Sequence, residues 1–490
     1  MNKRPRSEDA EAGNTQGNQA DVARKGLVSL NRLDYVLQPD LSVVTSRTTK
    51  RHFFQQNTYQ NGNRAIAILN SGAEYIDPQN SYLQFNVQIR TPTVTTVPLP
   101  TGFYWLGAGS ALNFIKRAIL TSRSGDELER CDEVGQLACV LDRYMHSDQW
   151  IKTHGKQIGY ESGIPGLAGS ASENKGSEMS ITLAAAAASS EVYQFVIPLS
   201  CLFGMFRSFD RLLPSMLMSG LRIELEFESA LRALASNDVG AFSYEIQAPE
   251  IVLDSYTLTD SIQRVLNEES AIRGLELVYT SFYYHSAQPK TLSNSSQAIN
   301  VEVRKAVSRA LGVLTKVRVQ DKVAASPTID YFRAKPFATS SYQLRLGSLY
   351  FPHQPIVDKG SVDSCLKEMY WHTMHGFGKI KTPSAPSAVT VFDGVRQSAN
   401  QADQKVAAYD RYPSYKLGMQ AIYTDLERST TQRLTGIPVN NSRVAEIQMT
   451  DIFWVPPVST GDVYTGWTID VWLHYVRLAR VFLQNVEIEE

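Results

Sequence analysis

The segment from Leu221 to Glu228 alternates apolar and charged residues without a break. Successive side chains of a β-strand point to opposite faces, so a period of two predicts a strand with one face in a hydrophobic core. The charged face is predicted to lie in solvent or at an interface. The apolar positions are Leu221, Ile223, Leu225 and Phe227, and the charged positions are Arg222, Glu224, Glu226 and Glu228. A chain that contains such a strand has to build a sheet around it.

A second predicted strand, Tyr193 to Ile197, precedes this segment and ends at Pro198, a residue that sheets accept mainly at edges and strand ends. Between the two strands lies an apolar connection, residues 201–220, with the sequence CLFGMFRSFDRLLPSMLMSG. Exposed apolar stretches of this size are unusual, so the part from Leu202 to Met218 has to be covered. We expect its own domain or another subunit to bury it.

Length and composition indicate a folded, sheet-rich protein. The 490 residues exceed what one hydrophobic core organises and suit two domains of about 200 to 250 residues each. Aromatic residues make up 10% of the chain, which favours strands. The formal net charge of -1 argues against electrostatic binding of nucleic acid or of an anionic membrane.

The N-terminus predicts a disordered tail. Residues 1–26 are polar and lack periodic apolar positions. The basic cluster from Lys3 to Arg6 resembles a nuclear-import or phosphate-binding motif, but nearby acidic residues almost balance it and favour a solvated tail.

The chain start lacks the apolar stretch of a secretory signal, and no apolar run is long enough to span a bilayer. Four scattered cysteines then predict reduced thiols in a protein made inside the cell.

The two halves of the chain repeat the same order of predicted elements. Cys139 and Cys365 lie 226 residues apart, as do Tyr144 and Tyr370. In each half the cysteine and the tyrosine lie in a predicted helix that is followed by a loop of over forty residues. Roughly eight mostly antiparallel strands per half predict an all-β fold of two tandem eight-stranded jelly rolls, each with a short internal helix. Two unrelated β-sandwiches are the alternative.

The predicted domains are the tail 1–26, a first jelly roll 27–259, a linker helix 260–273 and a second jelly roll 274–490. The predicted strands of the first roll are 52–60, 65–69, 82–89, 115–120, 193–197, 221–228 and 249–258, with a helix at 133–144. Those of the second roll are 275–284, 299–303, 311–319, 342–351, 416–426, 443–450 and 467–483, with a helix at 362–372.

One group of residues has the chemistry of a metal site. Cys365, His372 and His375 combine a thiol with two imidazoles at i and i+3, a set that suits zinc. No second cysteine or carboxylate pair completes it at typical spacing, so a packed helix end is the better interpretation. We predict no catalytic, cofactor-binding or metal-binding residue.

Two further patterns have a simpler explanation than chemistry. The alternating Glu224, Glu226 and Glu228 suggest the paired acids of glycoside cleavage, but a solvated or interface face of one strand explains them better. Arg477 and Arg480 form a basic strip with few interleaved aromatic residues, which favours salt bridges between subunits over binding of single-stranded nucleic acid.

Four segments, taken in order, resemble the double jelly-roll major capsid proteins, especially those of polinton-like viruses and virophages in the adenovirus hexon-like lineage. The segments are IPLSCLFGMF…LLPSMLMSGLRIELE (197–226), YQLRLGSLYFPHQPI (342–356), LERSTTQRLTGIPVNNSR (426–443) and VWLHYVRLARVFL (471–483). The resemblance extends over residues 27–490. It implies a homotrimer with a pseudo-hexagonal outline that tiles the icosahedral shell of a DNA virus.

The resemblance makes the expected function structural rather than enzymatic. The expected partners are the chain itself, neighbouring capsomers, and penton and minor capsid proteins, and the expected location is the virion. The loops predicted for the outer face and the trimer contacts are 91–113, 147–190, 320–340 and 373–415. The rival hypothesis is a non-viral paired jelly-roll protein that binds carbohydrate or acts on glycans, which a pocket with converging carboxylates would favour.

Overall fold

The computed structural model describes most of the chain after residue 43. The described residues are 44–70, 72–90, 103–106, 110–147, 150, 153–159, 180–182, 192–236, 243–287, 299–319, 341–357, 368, 371–377, 421–428, 434–440, 444–450, 467–482 and 486–490. The predicted tail 1–26 lies outside them, as do Cys365, Tyr370 and most of the four predicted outer loops.

Twelve of the described strands lie before the predicted linker and ten after it. The first twelve are β1 Val44–Phe53, β2 Thr58–Gln60, β3 Arg64–Ile68, β4 Tyr75–Arg90, β5 Phe103–Leu106, β6 Ile115–Thr121, β7 Glu127–Asp132, β8 Ser180–Thr182, β9 Val192–Pro198, β10 Arg222–Phe227, β11 Leu234–Ser236 and β12 Ser243–Leu258. The other ten are β13 Leu275–Ser286, β14 Ile299–Val303, β15 Val307–Val319, β16 Ser341–Leu346, β17 Leu349–Val357, β18 Ala421–Asp425, β19 Ile437–Val439, β20 Ala445–Thr450, β21 Trp467–Val481 and β22 Val486–Glu489.

The helices are few and mostly short. They are α1 Val134–Met145, α2 Leu199–Leu202, α3 Gly204–Ser208, α4 Ser215–Met218, α5 Ala230–Ala233 and α6 Asp260–Ile272, with 3₁₀ turns at Ala111–Phe114 and His154–Ile158 and helical backbone at 368 and 371–377. The helix α1 begins and ends within one residue of its prediction, and α6 starts at the first residue predicted for the linker helix. No described helix is both long and apolar enough to cross a membrane.

The sheets confirm the double jelly roll. In the first roll the strand orders are β1-β12-β4-β9 and β3-β10-β6-β7, and in the second they are β13-β21-β15-β18 and β14-β20-β16-β17. Counting only these eight strands of each roll, both halves have the order first-eighth-third-sixth in one sheet and second-seventh-fourth-fifth in the other. Identical order in both halves excludes two unrelated sandwiches. The antiparallel three-stranded sheet β11-β5-β8 is additional.

Alternation along the strands positions the core between the paired sheets. In β4 the residues Leu83, Phe85, Val87 and Ile89 are each at most 1% exposed, whereas the polar residues between them are half-buried. Each roll buries its own apolar cluster in this way. Ser46–Glu490 forms one compact unit that contains both rolls. The residue boundaries of the domains remain a prediction.

Several strand predictions need correction. The predicted strand 52–60 is divided between the end of β1 and β2, with residues 54–57 outside both strands. The predicted strand 342–351 is a hairpin of β16 and β17, because Gly347 takes a φ of 60°, a left-handed conformation that turns the chain. The equivalent β7 of the first roll was missed. Its sequence ELERCD has charged residues on both faces, so it lacks the alternation of apolar and polar residues that predicts a strand. Its burial alternates only partly because the second roll covers it.

The apolar connection is buried within its own chain. It forms α2, α3 and α4, and Leu202, Phe206 and Met218 are each at most 2% exposed. The two strands that it joins, β9 and β10, belong to different sheets. It packs on β4 of its own roll and on β13 of the second roll, so the contact between rolls, not a neighbouring subunit, covers it.

The charged face of β10 was predicted to lie in solvent or at an interface, and the structure shows it partly buried by side chains of its own sheet, with Arg222 exposed. Glu224 and Glu228 are only 8% and 3% exposed. The reason is that long basic side chains of β10 itself and of the neighbouring strands β3 and β6 lie over this face of the sheet. The ion pairs are Arg64–Glu224 at 3.0 Å, Arg222–Glu224 at 2.8 Å, Lys116–Glu226 at 3.0 Å and Arg117–Glu226 at 3.1 Å.

Candidate functional site: the contact between the rolls

The contact between the rolls begins at β7, the edge strand of a first-roll sheet. Against it lies β13, the edge strand of a second-roll sheet, and α3 packs on the same strand. The strands β7 and β13 are not hydrogen-bonded to each other as a sheet, so side chains make the contact. This arrangement brings together residues about 150 positions apart in the sequence, such as Glu129 and Ser281.

Glu129 is the central polar residue of this contact and is fully buried. Its carboxylate accepts hydrogen bonds from the backbone N–H of Gly204 at 2.8 Å and of Met205 at 2.9 Å, and from Ser281 Oγ at 3.0 Å. Burial raises the pKa of Glu129, and these three hydrogen bonds oppose that rise. A single side chain thus joins β7, the apolar connection and the second roll.

Gly204 allows the backbones of the two rolls to meet. A Cβ at this position would lie 1.9 Å from the carbonyl oxygen of Thr280 in β13 and 2.9 Å from Glu129 Oε1. No side chain fits in that space, so glycine is needed for close approach of α3 to β13.

The carbonyl oxygen of Leu128 accepts two hydrogen bonds from the second roll. The donors are Tyr279 Oη and Arg477 Nη1. Arg477 is 6% exposed and also pairs with Glu490 at 2.5 Å. Arg480 pairs with Glu276 of the adjacent strand β13 at 3.0 Å. Arg477 is thus buried in the contact between the rolls, whereas Arg480 remains partly exposed. The predicted salt bridges of these two residues to another subunit stay a prediction.

The helix α1 extends the contact as an apolar layer. One face of it packs on a second-roll sheet, and Tyr144 stacks on Phe377 with ring centroids 5.1 Å apart and planes at 18°. The buried cluster consists of Leu137, Cys139, Val140, Leu141 and Tyr144 from α1, and Phe282, Leu314, Phe377, Ala421, Tyr423 and Trp472 from the second roll. Contact of this kind contributes roughly 25 cal/mol per Å² of apolar surface removed from water.

A buried lysine crosses the same layer. Lys316 of β15 is 0% exposed, and its Nζ donates to Gln136 Oε1 at 2.7 Å and contacts Cys139 Sγ at 3.1 Å. A buried ammonium group is costly unless its donors are satisfied, so this lysine fixes the position of α1 on the second roll.

Charged groups of both rolls lie around Glu133, the residue before α1. Burial raises the pKa of Glu133 to about 7, and the charge of Arg318 in the second roll opposes this rise. Glu228 and Asp470 raise the same pKa, and Arg232 lowers it. Arg318 in turn forms a buried ion pair with Asp470. The protonation of a first-roll carboxyl is thus coupled to charges of both rolls.

The structure does not assemble the zinc candidate among the residues that it describes. His372 is half-buried, His375 is exposed, and Cys365 lies outside the described residues. Nowhere in the described part of the chain do three His, Cys, Asp or Glu side chains group as metal ligands. His474 is buried, its pKa is lowered to about 3 by burial, and its Nδ1 lies 2.9 Å from Tyr423 Oη, which is the environment of a core histidine.

Sequence reasoning missed Glu129 and β7 because a strand with charges on both faces has no periodic signal. Gly204 had a usable signal. A glycine inside a buried apolar segment often marks close approach of another backbone. The arrangement as a whole holds two similar lobes in a fixed relation, through hydrogen bonds to Glu129 and Leu128 and through the apolar layer of α1.

The fold that these elements define is the double jelly roll of large viral coat proteins. The solved structures that it resembles include the Faustovirus major capsid protein, with 9% identity, a TM-score of 0.55, and coverage of 93% of this chain and 94% of that chain. A chain of the Sputnik virophage shows 12% identity, a TM-score of 0.56 and coverage of 94% and 91%. The mavirus major capsid protein shows 12% identity, a TM-score of 0.51 and coverage of 93% and 92%.

At these identities the likeness is one of fold, and it extends over almost the full length of both chains. No protein-family model matches this chain, and no curated protein matches its sequence.

Proposed function

We propose that this chain is a major capsid protein that trimerises into pseudo-hexagonal capsomers of an icosahedral DNA-virus shell. The observation that carries the proposal is the pair of rolls with identical strand order, fixed to each other by a buried contact. A chain built in this way presents two similar lobes. Three copies present six, so one gene product can occupy near-hexagonal positions in a shell through repeated contacts.

The solved structures support this proposal by their coverage as well as their fold. The Faustovirus and mavirus proteins are described as major capsid proteins, and each matches over more than nine-tenths of this chain. By this proposal the protein is located in the virion and its first partner is itself. Neighbouring capsomers, penton proteins and minor capsid proteins are the further proposed partners.

The proposed role is structural rather than enzymatic. The carboxylates that alternate along β10 are the best candidates for glycan cleavage, but Glu224 and Glu226 are held by arginine and lysine at 2.8 to 3.1 Å. An acid that cleaves a glycosidic bond has to reach the substrate, and carboxylates held in ion pairs on a sheet face are poorly placed to do so.

Light scattering and negative-stain microscopy of the purified protein test the proposal. We expect a mass of three times 54.6 kDa and particles with a hexagonal outline. A stable monomer that binds glycans would contradict the capsid function and favour the paired jelly-roll carbohydrate-binding protein. A glycan array run on the same sample makes the two outcomes distinguishable.

A further inference from the structure

The edge strand of one sheet is covered in the first roll, whereas in the second roll the described residues leave it bare, with most of its side chains exposed. In the first roll this strand is β7, the fifth of its eight, and Leu128, Glu129 and Cys131 are at most 3% exposed beneath the second roll. In the second roll the fifth strand is β17. Its exposed side chains include Leu349 at 43%, Tyr350 at 37% and Val357 at 41%.

The strand that covers β7 is packed between the rolls, whereas the equivalent strand of the first roll is mostly exposed. It is β13, the first strand of the second roll, which packs on β7 with Tyr279 buried and Thr280 against Gly204. The equivalent strand of the first roll is β1. Most of its side chains are exposed, and Phe53 is 71% exposed.

The exposed strands β17 and β1 are thus the equivalents of β7 and β13, the two strands that contact each other between the rolls. A second copy of the chain supplies a partner for each of them. We infer that β17 of one copy packs against β1 of the next, in the way that β7 packs against β13 within each chain. This inference rests on the proposed function for the number of copies in the ring.

The chemistry of the two strands fits a side-chain contact. The strand β17 contains Pro352 and Pro355, which lack backbone N–H groups and cannot extend a sheet into a neighbouring chain. The internal contact likewise has no strand pairing between β7 and β13. The exposed apolar side chains Leu349 and Val357 of β17 and Phe53 of β1 supply the surface to be buried.

The contact is heterologous, since each copy offers two different surfaces. Such contacts close into a ring when the rotation between copies divides a full turn. The internal contact already relates two similar rolls, and repeating a similar step from chain to chain gives a closed ring of alternating first and second rolls.

Single-surface variants test this assignment. Leu349→Asp with Val357→Asp destroys the β17 surface, and Phe53→Asp destroys the β1 surface. Burying a carboxylate against apolar side chains should weaken association by about 100-fold or more, so each variant alone should be monomeric in sedimentation velocity. Circular dichroism should remain unchanged, because all three side chains are exposed. Ile272→Asp, on the 79% exposed Ile272 of α6, is the matched control and should remain trimeric.

Mixing the two variants gives the sharper result. One copy with an intact β17 and one with an intact β1 can form a single contact, so an equimolar mixture should give a heterodimer. If the β17 variant stays trimeric, the inference is wrong while the proposed capsid function stands. If both variants are monomeric but never pair when mixed, the contact is not β17 to β1. A monomeric wild type would instead refute the proposed function.

Discussion

Gly204 and Glu129 are the residues on which the contact between the rolls depends. We predict that Gly204→Ala destabilises the chain strongly, because the new methyl carbon would lie 1.9 Å from the Thr280 carbonyl oxygen. Overpacking of this severity should cost about 3 kcal/mol or more of the free energy of unfolding. Chemical denaturation followed by circular dichroism measures the change.

Gly62→Ala is the matched control for that measurement. Gly62 has a φ of +81°, but no atom lies within 4 Å of a Cβ placed there. Backbone strain alone should cost about 1 to 2 kcal/mol. Equal effects of the two substitutions would show that contact between the rolls is not what Gly204 permits.

The protonation of Glu133 should make stability depend on pH. Its pKa is about 7 in the folded chain against an ordinary value of 4.5. Between these values the folded state holds a proton that the unfolded state has released, so the free energy of unfolding falls as pH rises. The loss between pH 4.5 and pH 8 should be about 3 kcal/mol. Urea denaturation at several pH values should reveal it.

The comparison for this prediction is Glu133→Gln, which keeps the shape of the side chain and removes the titration. In that variant the decline over the same pH range should be smaller by the amount that Glu133 contributes. Glu268→Gln changes an exposed carboxylate of α6 and should leave the decline intact. If Glu133→Gln also leaves it intact, Glu133 is not the titrating group.

At the scale of elements, the apolar connection between β9 and β10 is part of the core of the chain. We predict that Met218→Asp prevents stable folding, since Met218 is 0% exposed and an unpaired buried carboxylate costs several kcal/mol. Soluble yield and circular dichroism should both fall. Arg211→Asp, in the same connection but exposed, should fold normally. A stably folded Met218→Asp protein would contradict the burial of this residue in the core of the chain.

The elements that could be predicted from the sequence are those whose burial follows a period. The strand β14 and the helix α1 were found to within one residue because their apolar positions repeat at two or near 3.6 residues. The strand β7 could not be found, because the second roll buries its Glu129 together with its apolar Leu128. A contact between segments that are distant in the sequence produces no local sequence pattern. The burial of Arg477 could not be predicted for the same reason.

The whole molecule should unfold as one cooperative unit. The apolar cluster of the first roll includes second-roll residues such as Tyr279 and Val481, and a further cluster joins α1 to the second roll. We predict a single calorimetric transition, measured at fixed protein concentration because association shifts the midpoint.

Two core substitutions test whether that transition is shared. Leu225→Ala in the first roll and Leu344→Ala in the second each remove a buried side chain and should cost about 2 to 5 kcal/mol. Both should lower the same transition as a whole. Two resolved transitions, of which each substitution moves only one, would mean that the rolls are thermodynamically independent.

The closeness of Gly204 to Thr280 restricts how genes for such chains can recombine. A crossover between two related genes that falls between Glu129 and Thr280 joins a first-roll edge from one parent to a covering strand from the other. Because the fit at Gly204 leaves no room for a side chain, the paired segments have to be inherited together. Chimeras that exchange residues 127–286 as one block should therefore yield soluble protein more often than chimeras cut inside that block. Equal yields from both designs would show that the fit imposes no such linkage.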